Sequence, residues 1–285
     1  MEAGVRQGGI LSLILFALYV DTVLQNLETS KLGCFINYTC YNSMMYADDL
    51  ILISISVTDL QQLLNMCADI FKSLDLPINA SKSHCIRIGP RHKSPCKPLM
   101  LNDTIVSWVD KIKYLGIFIC NHSNFKCDWR EAKSKFYVTS NIIFGKLGAN
   151  PPVEIALKLF MSQCLPSLTY GNVATGITRD ECNKLSFVFN SIFVKLFNVK
   201  DKNNLLLCQY YTGVLSFELQ YEFNRFLFLR KLIDNDLLCE KIECDEMDLQ
   251  EFVLLKSKFS IHDFASVSFI KTCFWNFFEK QVLLI

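Results

Sequence analysis

Residues 43–54 read S-M-M-Y-A-D-D-L-I-L-I-S, so two adjacent carboxylates, Asp48 and Asp49, interrupt a run that is otherwise uncharged and largely apolar. Burying an unpaired carboxylate costs several kcal/mol, so the acids need either water or a partner. A β-hairpin solves this, with residues 44–46 and 50–53 as its arms and the Asp48-Asp49 pair at its tip. Taken alone, the pair fits either a polar turn or part of a divalent-metal site. In such a site, carboxylate oxygens hold Mg²⁺ ions between an attacking oxygen and a leaving phosphate.

The rest of the chain divides by periodicity. Residues 10–27 are apolar on almost every face, which predicts a buried helix opened by Gly8 and Gly9, with Ser12 available to cap it. Strands are expected at 34–41, 43–46 and 50–56, followed by an amphipathic helix over 57–74. That helix has apolar residues at 60, 63, 64, 67, 70, 71 and 74, and Thr58 at its start. Short strands follow at 85–88, 104–108 and 112–120, separated by Gly, Pro and basic residues. Beyond Trp129 the pattern turns to long helices, broken at 148–152, 175–178 and 200–204. The fold class read from this is α+β, in two domains: 1–125, mixed, and 126–285, mostly helical. A 285-residue chain with 51% hydrophobic residues can bury a sizeable core in both.

A formal charge of +1 gives no overall attraction to phosphate, so nucleic-acid contact has to come from local patches. Two exist: Lys82, Arg87, Arg91, Lys93 and Lys97 fall in a stretch without acids, and Lys111, Lys113, Lys126, Arg130, Lys133, Lys135 and Lys146 form a second excess. The 13 cysteines are scattered, without a C-x-x-C pair or zinc-finger spacing, and read as reduced core thiols of an intracellular protein, cytoplasmic or nuclear. The apolar run near the N-terminus has no small-residue cleavage site and is too short to span a bilayer. Residues 269–285 are interrupted by Lys271, Glu279 and Lys280, which predicts a packed helix rather than a membrane anchor.

Upstream of the acids stands G-V-R-Q-G-G-I-L-S, residues 4–12. Its glycines allow close backbone approach to a ligand, Arg6 can pair with phosphate, and Gln7 can hydrogen-bond a base or sugar. By itself the block fits a helix start with an exposed arginine equally well. Downstream come I-N-A-S-K-S at 78–83 and Y-L-G-I at 114–117. In this order and spacing, the four blocks resemble the reverse transcriptases of non-LTR (LINE-type) retrotransposons. A weaker likeness continues through L-P-S-L-T-Y-G at 165–171 and the helical stretch 217–232.

The resemblance implies an RNA-directed DNA polymerase, a nucleotidyltransferase with a right-hand fold: a partial palm over 1–125, then a thumb-like and C-terminal region over 126–285. It implies template and nucleotide contacts from Arg6, Gln7 and Gly8, and catalytic metal binding by Asp48 and Asp49. Asn79 and Lys82 would lie near the triphosphate, and Tyr114, Leu115 and Gly116 would begin the primer grip. The implied cofactor is Mg²⁺, and the implied partners are an RNA template, a DNA primer and a deoxynucleoside triphosphate, with no membrane. From its residue type alone, Lys82 reads equally as a general acid for pyrophosphate or as a solvated loop lysine, and Tyr114 as an ordinary strand aromatic.

The sequence departs from the family in two places. Leu13 stands where the family usually has Pro, which a helix start tolerates. The family's third metal-binding Asp lies ahead of the glycine block, where only Met1-Glu2-Ala3 stand here, and Asp21 falls in the helix after the block. The expectation is weak Mg²⁺ binding, loss of activity and an unpaired apolar sheet edge that leaves the isolated chain poorly soluble or partly unfolded. The alternative reading is a non-catalytic RNA- or protein-binding remnant that uses the basic patches.

Overall fold

The computed structural model describes residues 11–36, 38–148, 151–234 and 246–285. The chain divides into two units, Met1–Lys126 and Cys127–Ile285. The first contains α1 (Ser12–Thr29), β1 (Cys34–Ile36), β2 (Thr39–Tyr41), β3 (Ser43–Tyr46), β4 (Asp49–Leu52), α2 (Val57–Ser73), β5 (His84–Cys85), β6 (Leu99–Leu101), β7 (Thr104–Trp108), β8 (Lys111–Tyr114) and β9 (Ile117–Cys120).

Helix α2 has the 3.6-residue spacing read from sequence, and its two apolar faces are both used. Leu63, Cys67 and Phe71 pack with Val20, Val23 and Leu27 of α1 and with Met45, Leu50 and Leu52 of the β3–β4 hairpin. Leu60 and Leu64 lie against the buried Leu99, Leu101 and Val106 of β6 and β7. Ser56, rather than Thr58, caps the helix, its hydroxyl accepting from Asp59 N at 3.4 Å. Gln61 then seals the side of β6: its amide donates to Met100 O at 2.7 Å and accepts from Met100 N at 2.8 Å. This satisfies backbone groups that an edge strand otherwise leaves open.

The strands are shorter than the sequence suggested because the chain turns back more often. Cys34–Ile36 and Thr39–Tyr41 pair as the antiparallel β1–β2 hairpin rather than forming one strand, with Tyr38 at φ 68° between them. Residues 112–120 likewise lie in the β8–β9 hairpin. Of 85–88, only Cys85 is in a strand; β5 runs parallel to β7, which pairs antiparallel with β6 on its other side. Helix α1 also differs from expectation. Its N-cap is Leu11, which makes no side-chain cap, and Leu11, Ile14, Leu15 and Leu18 are more than half exposed, so among the described side chains one side alone is buried.

The second unit is helical: α3 (Arg130–Leu147), α4 (Val153–Leu159), a π-helical turn (Phe160–Cys164), α5 (Leu165–Thr169), α6 (Asn172–Thr175), α7 (Arg179–Phe197), α8 (Lys202–Tyr211), α9 (Phe217–Ile233), α10 (Glu246–Lys258) and α11 (Val267–Val282). Side-chain caps explain several starts. Thr178 and Glu181 form a reciprocal capping box on α7, Asp201 caps α8, Ser216 caps α9 and Ser266 caps α11. On α7, Cys182, Leu185, Val188, Phe189, Ile192 and Phe193 are all buried, at helical spacing. Ile270, Phe274, Phe278 and Val282 of α11 join Leu219, Phe226 and Leu229 of α9 in an aromatic-rich core, where Phe259 stacks on Phe274 at 3.6 Å. Among the described residues, no helix is long and apolar enough to cross a membrane.

Candidate functional site

The acid pair sits on the β3–β4 hairpin, whose register is Ser43↔Leu52, Met44↔Ile51, Met45↔Leu50 and Tyr46↔Asp49. The tip is therefore Ala47-Asp48, and Asp49 is the first residue of β4, not the second residue of the turn. Ala47 has φ 52°, the left-handed region that a Cβ disfavours. Cross-strand partners share a face, so Asp49 lies with Tyr46 and Met44 on the outward side while Met45 and Leu50 face the core. Both carboxylates are exposed, so hydration carries their charge without burial.

The hairpin is pinned at its open end. Asn42, 2% exposed, donates from Nδ2 to Leu27 O at the end of α1 (2.5 Å) and accepts from Ser43 Oγ at Oδ1 (3.0 Å), while its carbonyl accepts from Ile53 N (2.8 Å). Gly33 leaves room for it: with φ 134°, a Cβ there would lie 2.6 Å from Asn42 Cβ. The direction of the acid-bearing tip thus depends on one buried amide.

Tyr114-Leu115-Gly116 occupy the tip of the β8–β9 hairpin. Tyr114 pairs with Ile117, and Leu115 (φ 45°) and Gly116 (φ 81°) both have positive φ, as a type I′ turn requires. The Tyr114 phenol is held above its ordinary value by burial first and by the negative charge of Asp49 second, so the two hairpin tips lie within electrostatic reach. On the same hairpin, the ammonium of Lys111 lies 3.9 Å and that of Lys113 5.2 Å from the centre of the Phe118 ring.

Asn79 and Lys82 form a self-contained turn. Asn79 Oδ1 accepts from Ser81 N (3.1 Å), Ser81 Oγ (2.7 Å) and Lys82 N (3.3 Å), so Asn79 shapes the loop while Lys82 is exposed on it. Among the described residues, no hydrogen bond or ion pair joins this turn to Asp48 or Asp49. Arg6, Gln7 and Gly8 lie outside the described residues.

Residues 1–119 match the family described as reverse transcriptase (RNA-dependent DNA polymerase). A retrovirus-related Pol polyprotein from the type-2 retrotransposable element R2DM of Drosophila melanogaster is 32% identical over 184 residues, which is 62% of this chain and 17% of that protein. Residues 1–119 thus carry a reverse transcriptase-like domain, and the chain is similar to part of a retrotransposon polyprotein. It spans about one sixth of the length of that relative.

Within the reverse-transcriptase segment, Asn42 and Gly33 are the positioning residues that motif reading missed. Their partners, Leu27 and Asn42 respectively, are apart in sequence, so no local pattern marks them. The one available signal is a lone Asn between two strands, where a polar side chain needs a stated destination.

Proposed function

We propose that the first unit is the palm of a right-hand polymerase and the second a thumb-like region, with domains at 1–125 and 126–285, and that the chain binds an RNA template paired to a DNA primer. The acid hairpin carries this reading: two exposed carboxylates on a register-fixed turn, within electrostatic reach of Tyr114, in the segment that matches the reverse transcriptases.

The donor set fits a hydrated Mg²⁺. Neither carboxylate is engaged by a hydrogen bond or ion pair among the described residues, and Mg²⁺ commonly keeps several waters while taking one or two carboxylates and substrate phosphates. When bound, the metal would neutralise charge on the phosphates of an incoming deoxynucleoside triphosphate. Asp48 and Asp49 would hold it, Tyr114, Leu115 and Gly116 would support the primer end, and Arg6, Gln7, Gly8, Asn79 and Lys82 would line the nucleotide and template side. The phenol of Tyr114, neutral at physiological pH as any ordinary tyrosine is, can donate a hydrogen bond, and burial followed by the charge of Asp49 disfavours its ionisation further.

Among the described residues, no group of three or more His, Cys, Asp or Glu side chains is placed to hold a metal. A two-metal clamp asks for more carboxylate oxygens than one hairpin tip offers. The 285-residue chain is therefore expected to bind Mg²⁺ weakly and to extend no primer by itself. Primer extension by the purified chain with Mg²⁺ or Mn²⁺ tests this; extension that disappears in Asp48→Ala would overturn the inactivity while upholding the site. The basic stretch 82–97 supports a second role, RNA binding without metal, which predicts salt-sensitive binding that survives Asp48→Ala.

A further inference from the structure

Away from the acid hairpin, the first unit has a cleft of about 480 Å³ whose walls include Arg87, His92, Lys93, Trp108, Asp110 and Asn121. That volume lies in the range that accepts a small ligand or one unit of a polymer. Its shape is held by short-range bonds. The Arg87 guanidinium donates to Ser94 O at 3.2 Å and to Cys96 Sγ at 3.0 Å, fastening the 87–96 loop from inside. His92 stacks on His122 with ring centres 5.8 Å apart, and Gly89 N donates to His122 O at 2.9 Å. The indole of Trp108 is fixed by donation from Nε1 to Lys97 O at 2.9 Å, so an aromatic surface is already in place.

Charge and hydrogen bonding point to one kind of occupant. Arg87 and Lys93 bring two fixed positive charges; the single acid, Asp110, already accepts from Asn121 Nδ2 at 3.3 Å. That contact sets the orientation of the Asn121 amide, because only its NH₂ group can face a carboxylate. Asn121 Oδ1 is then left buried, with no hydrogen-bond partner among the described residues. A buried acceptor without a donor is uncommon and calls for an N–H or O–H from elsewhere.

We propose that this cleft binds one unpaired nucleotide of a nucleic-acid strand, its phosphate at Arg87 and Lys93, its base against Trp108, and an N–H of the base donating to Asn121 Oδ1. The inference rests on the nucleic-acid-binding part of the function proposed above. Every base has such an N–H on its Watson–Crick edge, so the site accepts any sequence but requires a single strand, since pairing consumes that edge. Stacking on an aromatic side chain is tolerant of sequence for the same kind of reason. The contacts involve no metal, so binding is independent of Mg²⁺.

Fluorescence anisotropy of the full 285-residue chain tests this with labelled single-stranded RNA, single-stranded DNA of the same sequence, an abasic strand of equal length, and duplex, at low salt in the presence of a chelator. The RNA and DNA arms show which strand is the natural source. The intact chain should bind a single strand with bases more tightly than the abasic strand, while duplex, which the proposed palm also holds, should bind independently of Asn121. Lys93→Gln should weaken binding to based and abasic strands alike and lower the salt slope by about one. Asn121→Ala should weaken binding to the based strand about two- to tenfold, the worth of one hydrogen bond, while leaving abasic binding unchanged. Loss of the bond to Asp110 should lower the melting temperature slightly, whereas an asparagine needed only for folding would lower the melting temperature and spare the binding. If both variants bind strands as the native chain does, or if Asn121→Ala weakens duplex as much as single strands, the cleft is not the site, and the nucleic-acid-binding reading survives without it. If the native chain binds no strand at low salt, both fall together.

Discussion

Each of the two units contains a buried polar side chain that ties separate elements together, but the one in the first unit is neutral and the one in the second is charged. In the strand-rich unit, Asn42 links the end of α1 to the acid hairpin through one strong amide donor. In the helical unit, Arg225 on α9 is 6% exposed and joins three segments: Nη1 donates to Val173 O (2.8 Å), Nη2 to Asp248 Oδ1 (2.6 Å), and Nε and Nη2 to Glu251 Oε2 (3.0 and 2.7 Å). A neutral anchor can be lost at the cost of one unsatisfied group. A charged one leaves uncompensated carboxylates behind, so the two units should fail differently.

The largest effect is expected from Arg225→Met, which keeps the side chain's bulk and removes its charge. Breaking a buried ion pair costs 3–5 kcal/mol, and about 3 is expected here because Asp248 and Glu251 are 30% and 38% exposed and remain partly solvated. Urea unfolding followed by tryptophan fluorescence reads it, since Trp129 and Trp275 lie in the helical unit. An unchanged midpoint would show that packing alone holds α6, α9 and α10 together.

Asn42→Leu comes next, at about 2 kcal/mol, from the bonds lost to Leu27 O and Ser43 Oγ at a buried site. The distinguishing expectation is where the loss appears. Hydrogen exchange should rise in 43–52, around the acids, and leave α9 as protected as before. Uniform exchange across both units would erase the contrast between the two anchors.

Neither anchor was legible in the sequence. Asn and Arg read as surface residues until a partner is known, and these partners lie far along the chain. Helix α2 was legible because its apolar period is set locally, and so was the pairing of the strips that flank the acids. The strands at 34–41 and 112–120 were misread because their reversals place Tyr38 and Leu115 at positive φ, without the Asn-Gly or Asp-Gly pairs that announce such turns. Helix α1 was read as buried because composition shows apolar residues on every side but not whether a neighbour covers them. The motif order pointed to the acid pair and the Tyr114 tip; that the charge of Asp49 is felt at the Tyr114 phenol depends on how two separate hairpins pack.

The pH profile gives a smaller contrast. Burial pushes the Cys67 thiol up from 9.0 to about 12 in the first unit, and those of Cys164 and Cys182 to about 11 in the second. A folded-state value above the unfolded one means that the unfolded chain loses its proton first, so the stabilisation is complete below pH 9 and is lost as pH rises towards 11–12. Each such thiol should account for about 1 kcal/mol between pH 9 and 10. Replacing Cys67 with Ala should flatten the decline by that amount over this interval, whatever the substitution does to the absolute stability. A decline of unchanged steepness would show that the Cys67 thiol already ionises in the folded chain at these pH values.

The smallest effect concerns the turn that carries the acids. Ala47 is held at φ 52°, a conformation that costs a residue with a Cβ about 1 kcal/mol or more and costs glycine almost nothing. Ala47→Gly relieves that strain but gives the unfolded chain more freedom, so a net gain of about 0.5 kcal/mol is expected. Leu115, at φ 45° on the neighbouring tip, has the same strain with a larger side chain, and Leu115→Gly should gain at least as much unless its side chain is packed. If Ala47→Gly stabilises the fold while leaving Mg²⁺ affinity at Asp48 and Asp49 unchanged, the strain is a by-product of the two-residue turn. If the affinity drops, the left-handed alanine stiffens the tip and keeps the two carboxylates in position for the ion, and Asn42 below and Ala47 above are two parts of one support.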